Sequence, residues 1–260
     1  MRPKIVARNV VKTYKSKDGD ILAIDDFSLE VAEGEFVCIV GPSGCGKSTF
    51  LRILAGLTPL TAGTVDIARD AKAQKPLNSM VFQEYAIYPW KTVRDNVAFG
   101  LEMRGVSKHT RYVIAEDWLK RVGLLKFANY YPHQLSGGMK QRVSIARALA
   151  NDPEVLLMDE PLGALDAQMR TVLQGELLNL WEIDRKTVVY ITHSIDEAIL
   201  LGDRVIVMTA HPGKIKMEFT IEIPRPRMIE TMSTPEFALQ KGIIWEALKD
   251  EVARVYGEQL

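Results

Sequence analysis

The sequence predicts an α/β fold built on a mixed sheet, with an antiparallel β-subdomain at its N-terminal side and a helical subdomain inserted over about residues 84–151. Three observations carry this expectation. Short apolar runs such as Phe36–Val40, Val155–Met158 and Thr187–Thr192 read as buried strands, and they alternate with stretches whose apolar residues recur every three or four positions. The first thirty or so residues differ: Ile5–Val11 and the period-two run Phe27-Ser28-Leu29-Glu30-Val31 flank the turn Lys17-Asp18-Gly19-Asp20, as a small antiparallel sheet does. From Glu84 to Asn151 helical spacing dominates. At 260 residues the chain exceeds one average domain, but α/β units of this length fold on a single core.

Taken in order, the first strand ends at Tyr14, an aromatic that pattern alone leaves open between core packing and a platform for a nucleotide base. The strand Phe36–Val40 then runs into Gly41-Pro42-Ser43-Gly44-Cys45-Gly46-Lys47-Ser48-Thr49, and helical spacing follows at Phe50, Ile53, Leu54 and Leu57. Glycine, four residues, glycine, lysine and serine between a strand and a helix is the phosphate-binding loop, so the core is expected to be that of a P-loop NTPase. Glycines let backbone N–H groups converge on an anion, and the helix start adds its positive dipole end. Lys47 can reach β- and γ-phosphates, and the Ser48 hydroxyl is of the kind that ligates Mg²⁺. The two cysteines, Cys38 in the strand and Cys45 in the loop, give no disulfide framework and fit a reducing compartment. Cys45 is expected to react with thiol reagents and Cys38 to react slowly.

Thr64–Ile67 and Asn78–Phe82 are further strands, the second ending at Gln83. The tract Tyr85-Ala86-Ile87-Tyr88-Pro89-Trp90 opens the helical subdomain and fits either packing onto the core or an exposed docking patch. Ser107 is a cap for a helix with Ala115, Trp118, Leu119 and Val122 on one face. Leu135-Ser136-Gly137-Gly138-Met139 starts another helix, with Met139, Val143, Ala146 and Ala150 along one side and an amide-rich N-terminus. Val155–Met158 delivers Asp159 and Glu160 at the strand end where α/β sheets hold ligands. Two adjacent acids there are costly to bury unless a cation such as Mg²⁺ meets them.

Gly163-Ala164-Leu165-Asp166 leads into a helix with Met169, Leu173, Leu177 and Leu180 on one face. His193 ends the strand Thr187–Thr192; taken alone, it reads more readily as a core or cap residue than as a functional one. Ser194 and Glu197 have capping-box spacing. Arg204–Met208 and Ile215–Phe219 form a hairpin around Pro212-Gly213, Pro224–Arg227 is a linker, and Thr234-Pro235 starts a last helix with Ile244, Leu248, Val252 and Val255 on one stripe. The division expected is a domain over 1–222 and a linker with a C-terminal helix over 223–260.

Lysine plus arginine equal aspartate plus glutamate at 33 each, which argues against a nucleic-acid partner held by net charge. No apolar stretch approaches the ~20 residues of a spanning helix, and Met1-Arg2-Pro3-Lys4 lacks a signal-peptide core, so a soluble, cytoplasmic protein is expected.

The order of these features resembles the ATPase subunit of an ABC transporter along nearly the whole chain: the loop Gly41–Ser48, Gln83, Leu135-Ser136-Gly137-Gly138, the strand into Asp159-Glu160, Ala164-Leu165-Asp166, and His193. Pro89-Trp90 followed by Thr92–Val97, and the tail Pro235-Glu236-Phe237 with Ile244-Trp245, are similar to importers of the nitrate, sulfonate and taurine group. Met139 stands where most of the family has glutamine, and Gly163 where many members have serine; both occur among importer subunits.

The resemblance implies ATP and Mg²⁺ as cofactors, adenine stacking on Tyr14, and a nucleotide-binding set running from Gly41 to Thr49 with Ser136, Gly137, Gly138 and Asp166. It also implies that two copies pair head to tail, so that Ser136, Gly137 and Gly138 of one close on the γ-phosphate held by Lys47 of the other. Ser48 and Asp159 would hold the metal, Gln83 would sense metal and attacking water, Glu160 would be the base, and His193 would contact the γ-phosphate. The implied partners are a second ATPase subunit, permease subunits docking near Gln83 to Val93, and an extracytoplasmic substrate-binding protein. The implied place is the cytoplasmic face of a membrane, and the implied cargo a small organic or inorganic anion. The alternative is a soluble ABC-type ATPase not engaged in transport. Its translation members resemble two tandem domains and its repair members carry a long coiled-coil insertion, and neither feature is present here.

Overall fold

A computed structural model describes residues 3–17, 19–70, 75–163, 165–183 and 185–257. Strand β1 (Pro3–Tyr14) lies between β2 (Ile21–Ala32) and β4 (Ala62–Ile67) in a three-stranded antiparallel sheet. Both long strands outrun the sequence expectation, because pairing carries them past the clean alternation to Tyr14 opposite Ile21. The expected turn between them includes Asp18, which lies outside the described residues.

The second sheet has six strands in the order β5 (Asn78–Val81), β6 (Val155–Asp159), β7 (Thr187–Ile191), β3 (Phe36–Val40), β8 (Arg204–Met208) and β9 (Ile215–Thr220). The first five run parallel and β9 closes the edge antiparallel to β8, so the sheet is mixed as predicted. Every residue of β3, β6 and β7 is buried, which is why these strands read as unbroken runs rather than alternating ones.

Helix α1 (Lys47–Leu54) is packed between the two sheets. Its Phe50, Leu51, Ile53 and Leu54 share one core with Ile5, Phe27 and Leu29 on one side and Ile39, Val189 and Ile206 on the other. The opposite face of the six-stranded sheet is covered by α5 (Ala167–Ile183), α6 (Ile195–Leu201) and α7 (Pro235–Gly257). Ala164 and the Leu180 side chain, both used in the sequence reading, lie outside the described residues.

The inserted helices α2 (Val93–Met103), α3 (Lys108–Arg121) and α4 (Gly137–Ala150) have a core of their own, with Val93, Val97, Ala115, Leu119, Val122, Val143 and Ala146. Ser107 caps α3 by accepting from the Thr110 N–H at 3.2 Å. The second face of α4, with Ile145, Ala148 and Leu149, enters the main core and so fixes the subdomain to the sheet.

The stretch expected as a linker is held tightly. Arg225 donates to Asp203 at 2.7 Å, and its guanidinium lies 3.9 Å from the Trp181 ring centroid. Arg227, 4 % exposed, donates to the carbonyls of Ile223 and Ile199 at 2.9 Å and to that of Gly202, satisfying acceptors left open at the C-terminus of α6. Burial, with the neighbouring charge of Arg225, lowers its pKa to about 10.

Candidate active site

The phosphate loop follows β3 and turns tightly. Gly46 has φ +102°, and a Cβ there would stand 2.7 Å from the Ala23 carbonyl oxygen, so only glycine fits. Lys47 is buried, and its ammonium donates to the loop's own carbonyls at Gly41 (2.9 Å) and Pro42 (2.8 Å). An anion in the loop would meet that charge already in place. Cys45 corrects an expectation: it is 1 % exposed, its sulfur 3.8 Å from the Lys47 nitrogen, and burial raises its thiol pKa despite the lysine. It packs inside the loop rather than presenting a reactive thiol.

At the end of β6, Asp159 is 1 % exposed and accepts from the Ser48 hydroxyl at 2.8 Å. Burial pushes its carboxyl pKa up; the Ser48 hydrogen bond opposes this and the charge of Glu160 adds to it. A buried carboxylate beside a second acid is relieved by a dication. Ser48 and Asp159 supply the hard oxygens that Mg²⁺ takes from proteins before completing its shell with phosphate and water. The donor set therefore fits Mg²⁺.

Glu160 has φ +45°, uncommon for a residue with a side chain, and its N–H donates to the Ile191 carbonyl at 3.0 Å. This turn brings three remote residues together. Gln83 donates to Glu160 Oε2 at 3.3 Å, and His193 Nδ1 lies 3.3 Å from the same oxygen. The hydrogen bond with His193 holds the Glu160 pKa below the usual carboxylate range, and the same contact raises that of His193. Glu160 is thus kept ionised.

Thr192, next to His193 in the chain, is held by a buried residue that the sequence reading took only for a cap. Glu197, 5 % exposed, accepts from Thr192 at 2.7 Å, Tyr190 at 3.1 Å and Gln174 at 3.3 Å. Only half of the expected capping box forms: Ser194 accepts from the Glu197 N–H at 3.3 Å, while its own N–H donates to Thr192 at 3.0 Å.

Tyr14, the loop from Gly41 to Thr49, Gln83, Glu160 and His193 line one cleft of about 840 Å³. Tyr14 is 38 % exposed, with the Lys12 ammonium 4.7 Å from its ring centroid, and is not a core residue. Ser136, Gly137, Gly138 and Asp166 are not among the residues lining that cleft. Ser136 caps α4 by accepting from the Met139 N–H at 3.3 Å. A Cβ on Gly137 would meet the Tyr85 hydroxyl at 2.7 Å, and one on Gly138 the Leu165 side chain at 3.2 Å. Asp166 accepts from the Met169 N–H at 2.9 Å at the start of α5. The cleft also has lining residues that were not expected there: Ile21, His211 and, from α7, Trp245, Leu248, Val252 and Val255.

The aromatic tract divides between its two readings. Tyr88 packs, its ring centroid 4.5 Å from Phe99 and its ring 5.5 Å from the Arg147 guanidinium. Trp90 is 72 % exposed. The backbone between them is pinned by Asn96, fully buried, which accepts from the Tyr88 N–H at 2.7 Å and donates to the carbonyls of Tyr88, Lys91 and Thr92 at 2.9–3.1 Å.

Residues 24–163 match the ABC transporter family. A nitrate import ATP-binding protein of Synechocystis sp. is 43 % identical over 87 % of this chain and 88 % of its own. A taurine import ATP-binding protein of Jannaschia sp. is 41 % identical over 96 % and 97 %. Among solved structures, a dimeric ATP-binding cassette in a post-hydrolysis state, bound to ADP and Pi, superposes with a TM-score of 0.76 at 38 % identity, covering 85 % of this chain and 100 % of that one. The chain belongs to the ABC transporter family, as an ATP-hydrolysing cassette subunit of the nitrate, sulfonate and taurine group.

Proposed function

We propose that this chain powers an importer for a small organic or inorganic anion, hydrolysing ATP at sites shared between two copies arranged head to tail. The observation that carries the reading is the separation within one chain of the phosphate loop from Ser136, Gly137 and Gly138, whose helix start suits a phosphate but is not part of the cleft's lining. A second copy supplies what the cleft lacks.

In this reading the adenine stacks on Tyr14, the loop amides from Gly41 to Thr49 cradle the phosphates, and Lys47 meets the β- and γ-oxygens. Ser48 and Asp159, with Gln83 beside them, would hold Mg²⁺, which would supply positive charge against the phosphates. The Glu160 carboxylate takes a proton from the attacking water as its oxygen bonds to the γ-phosphorus and the bond to ADP breaks. His193 holds Glu160 ionised and faces the γ-phosphate. Asp166 lies at the junction between copies. Such a residue set works by positioning and charge stabilisation, the two things phosphoryl transfer needs.

Among the described residues no helix is long and apolar enough to cross a membrane, and in this reading permease subunits carry the anion across it. They dock near Gln83 to Val93, with Trp90 as anchor, this chain lying at the cytoplasmic face of the membrane, and an extracytoplasmic binding protein delivers the anion. The test is ATP turnover by the subunit alone and with co-purified membrane chains. A rise on adding the permease supports the reading, and identical rates with stable association count against coupling.

A further inference from the structure

Helix α7 lies outside the stretch matched to the family, yet it walls the nucleotide cleft. One stripe of the helix is buried against the main core through Phe237, Ile244, Ala247 and Leu248. Trp245 departs from that stripe. It is 49 % exposed and lines the cleft together with Val252 and Val255, alongside Glu160 and His193.

The helix is rigidly seated there. Glu251, 1 % exposed, accepts from the Ala210 N–H at 2.9 Å and the Lys216 ammonium at 2.7 Å, and Lys241 pairs with Asp196 of α6 at 2.8 Å. Ala210 begins the loop through His211 to Gly213, and a Cβ on Gly213 would stand 2.1 Å from the Cys45 carbonyl oxygen. The backbone that carries α7 is therefore in direct contact with the phosphate loop.

We propose that α7 extends the surface on which a second copy of this chain docks, with Trp245 as its apolar anchor. This rests on the shared-site reading above. The occupant follows from continuity: a second copy closing on the cleft to bring Ser136, Gly137 and Gly138 to the phosphates meets the cleft wall that holds Trp245. A half-exposed tryptophan on a rigid helix at the edge of a closing interface has the chemistry of a binding hot spot. The permease-docking tract does not compete for this role, because it lies on the inserted subdomain at the start of α2. Two-fold pairing would use Trp245 twice, once at each cleft.

The test uses the full chain in a Glu160→Gln background, in which ATP is expected to hold the dimer closed. Sedimentation equilibrium with ATP gives the dimer dissociation constant, and labelled-ATP binding at protein concentrations below that constant gives the affinity of the single copy. Trp245→Ala should raise the dimer dissociation constant about thirtyfold while leaving single-copy ATP affinity and melting temperature unchanged. Leu239→Ala, 67 % exposed on α7 and outside the cleft, should change nothing. Loss of single-copy ATP affinity in Trp245→Ala would overturn the inference by placing the indole on the nucleotide. Unchanged dimerisation would overturn it alone, whereas a parent that stays monomeric with ATP would overturn the shared-site reading and this inference with it.

Discussion

Glu160 Oε2 meets Gln83 and His193, residues 77 and 33 positions away in the chain. Its depressed pKa and the raised pKa of His193 define one ion pair, stabilising only between those two values. The Glu160 share is present above the unfolded carboxyl pKa and lost as pH falls through the folded one. The His193 share is present below the unfolded imidazole pKa and lost as pH rises through its raised value. With the His193 side chain 58 % exposed, solvent keeps the stability effect small, so the site itself is the better place to look. In Glu160→Gln the His193 pKa should fall back toward its ordinary value in an NMR titration; no change would mean the contact is not formed. The same variant should bind ATP and turn it over about 10²-fold more slowly or worse, since shape is kept and the base removed. Near-normal phosphate release would remove Glu160 from its role. Both cysteines should label slowly with a maleimide in the folded chain, because each is buried with a raised pKa. Fast labelling of Cys45 in the absence of ATP would show that the loop opens.

At the scale of elements, the tract after Gln83 separates into a packed half and a presented half. Trp90→Ala should leave the melting temperature nearly unchanged and weaken co-purification with the permease, by about 2 kcal/mol if the indole is a hot spot. Tyr88→Ala should instead lower the melting temperature, because it removes a ring packed on Phe99 and Arg147. Asn96→Ala strands the Tyr88 N–H and several carbonyls and should cost about 2 kcal/mol of stability in denaturant unfolding. A neutral result would mean water replaces the amide. The sequence disclosed the strands and helices around this tract well, because their signals are local: β3, β6 and β7 are wholly buried and so mostly apolar, and Ser107 caps its helix by its own side chain. It could not divide Tyr88 from Trp90, since the difference is made by Phe99 and Arg147 arriving from two other helices. For the same reason Glu197 passed for a capping residue, when its carboxylate serves Thr192, Tyr190 and Gln174 instead.

Of the three cores among the described residues, two are joined through α4, one face of which belongs to the inserted helices and the other to the main sheet. That arrangement puts Ser136 to Gly138 at the start of the shared helix and the phosphate loop at the end of β3, in different places on one chain. Most of the cleft was legible from motifs, because Lys47, Ser48, Glu160 and His193 each follow a buried strand. The α7 wall was not, because Leu248, Val252 and Val255 read as one more packing stripe, whereas the helix is seated beside the cleft by the bonds of Glu251 to Ala210 and Lys216. The central claim, that a working site takes its loop from one copy and its Ser136 to Gly138 from another, is tested most directly by mixing two inactive variants. Lys47→Ala lacks the charge in the loop, and Ser136→Glu sets a negative charge against the γ-phosphate. Each alone should release almost no phosphate from ATP. Mixed in equal amounts, random pairing makes half the dimers hybrids with one intact site of two, so phosphate release should recover to about a quarter of the wild-type rate. A mixture as inactive as its components, with hybrid dimers shown to form, would contradict the claim.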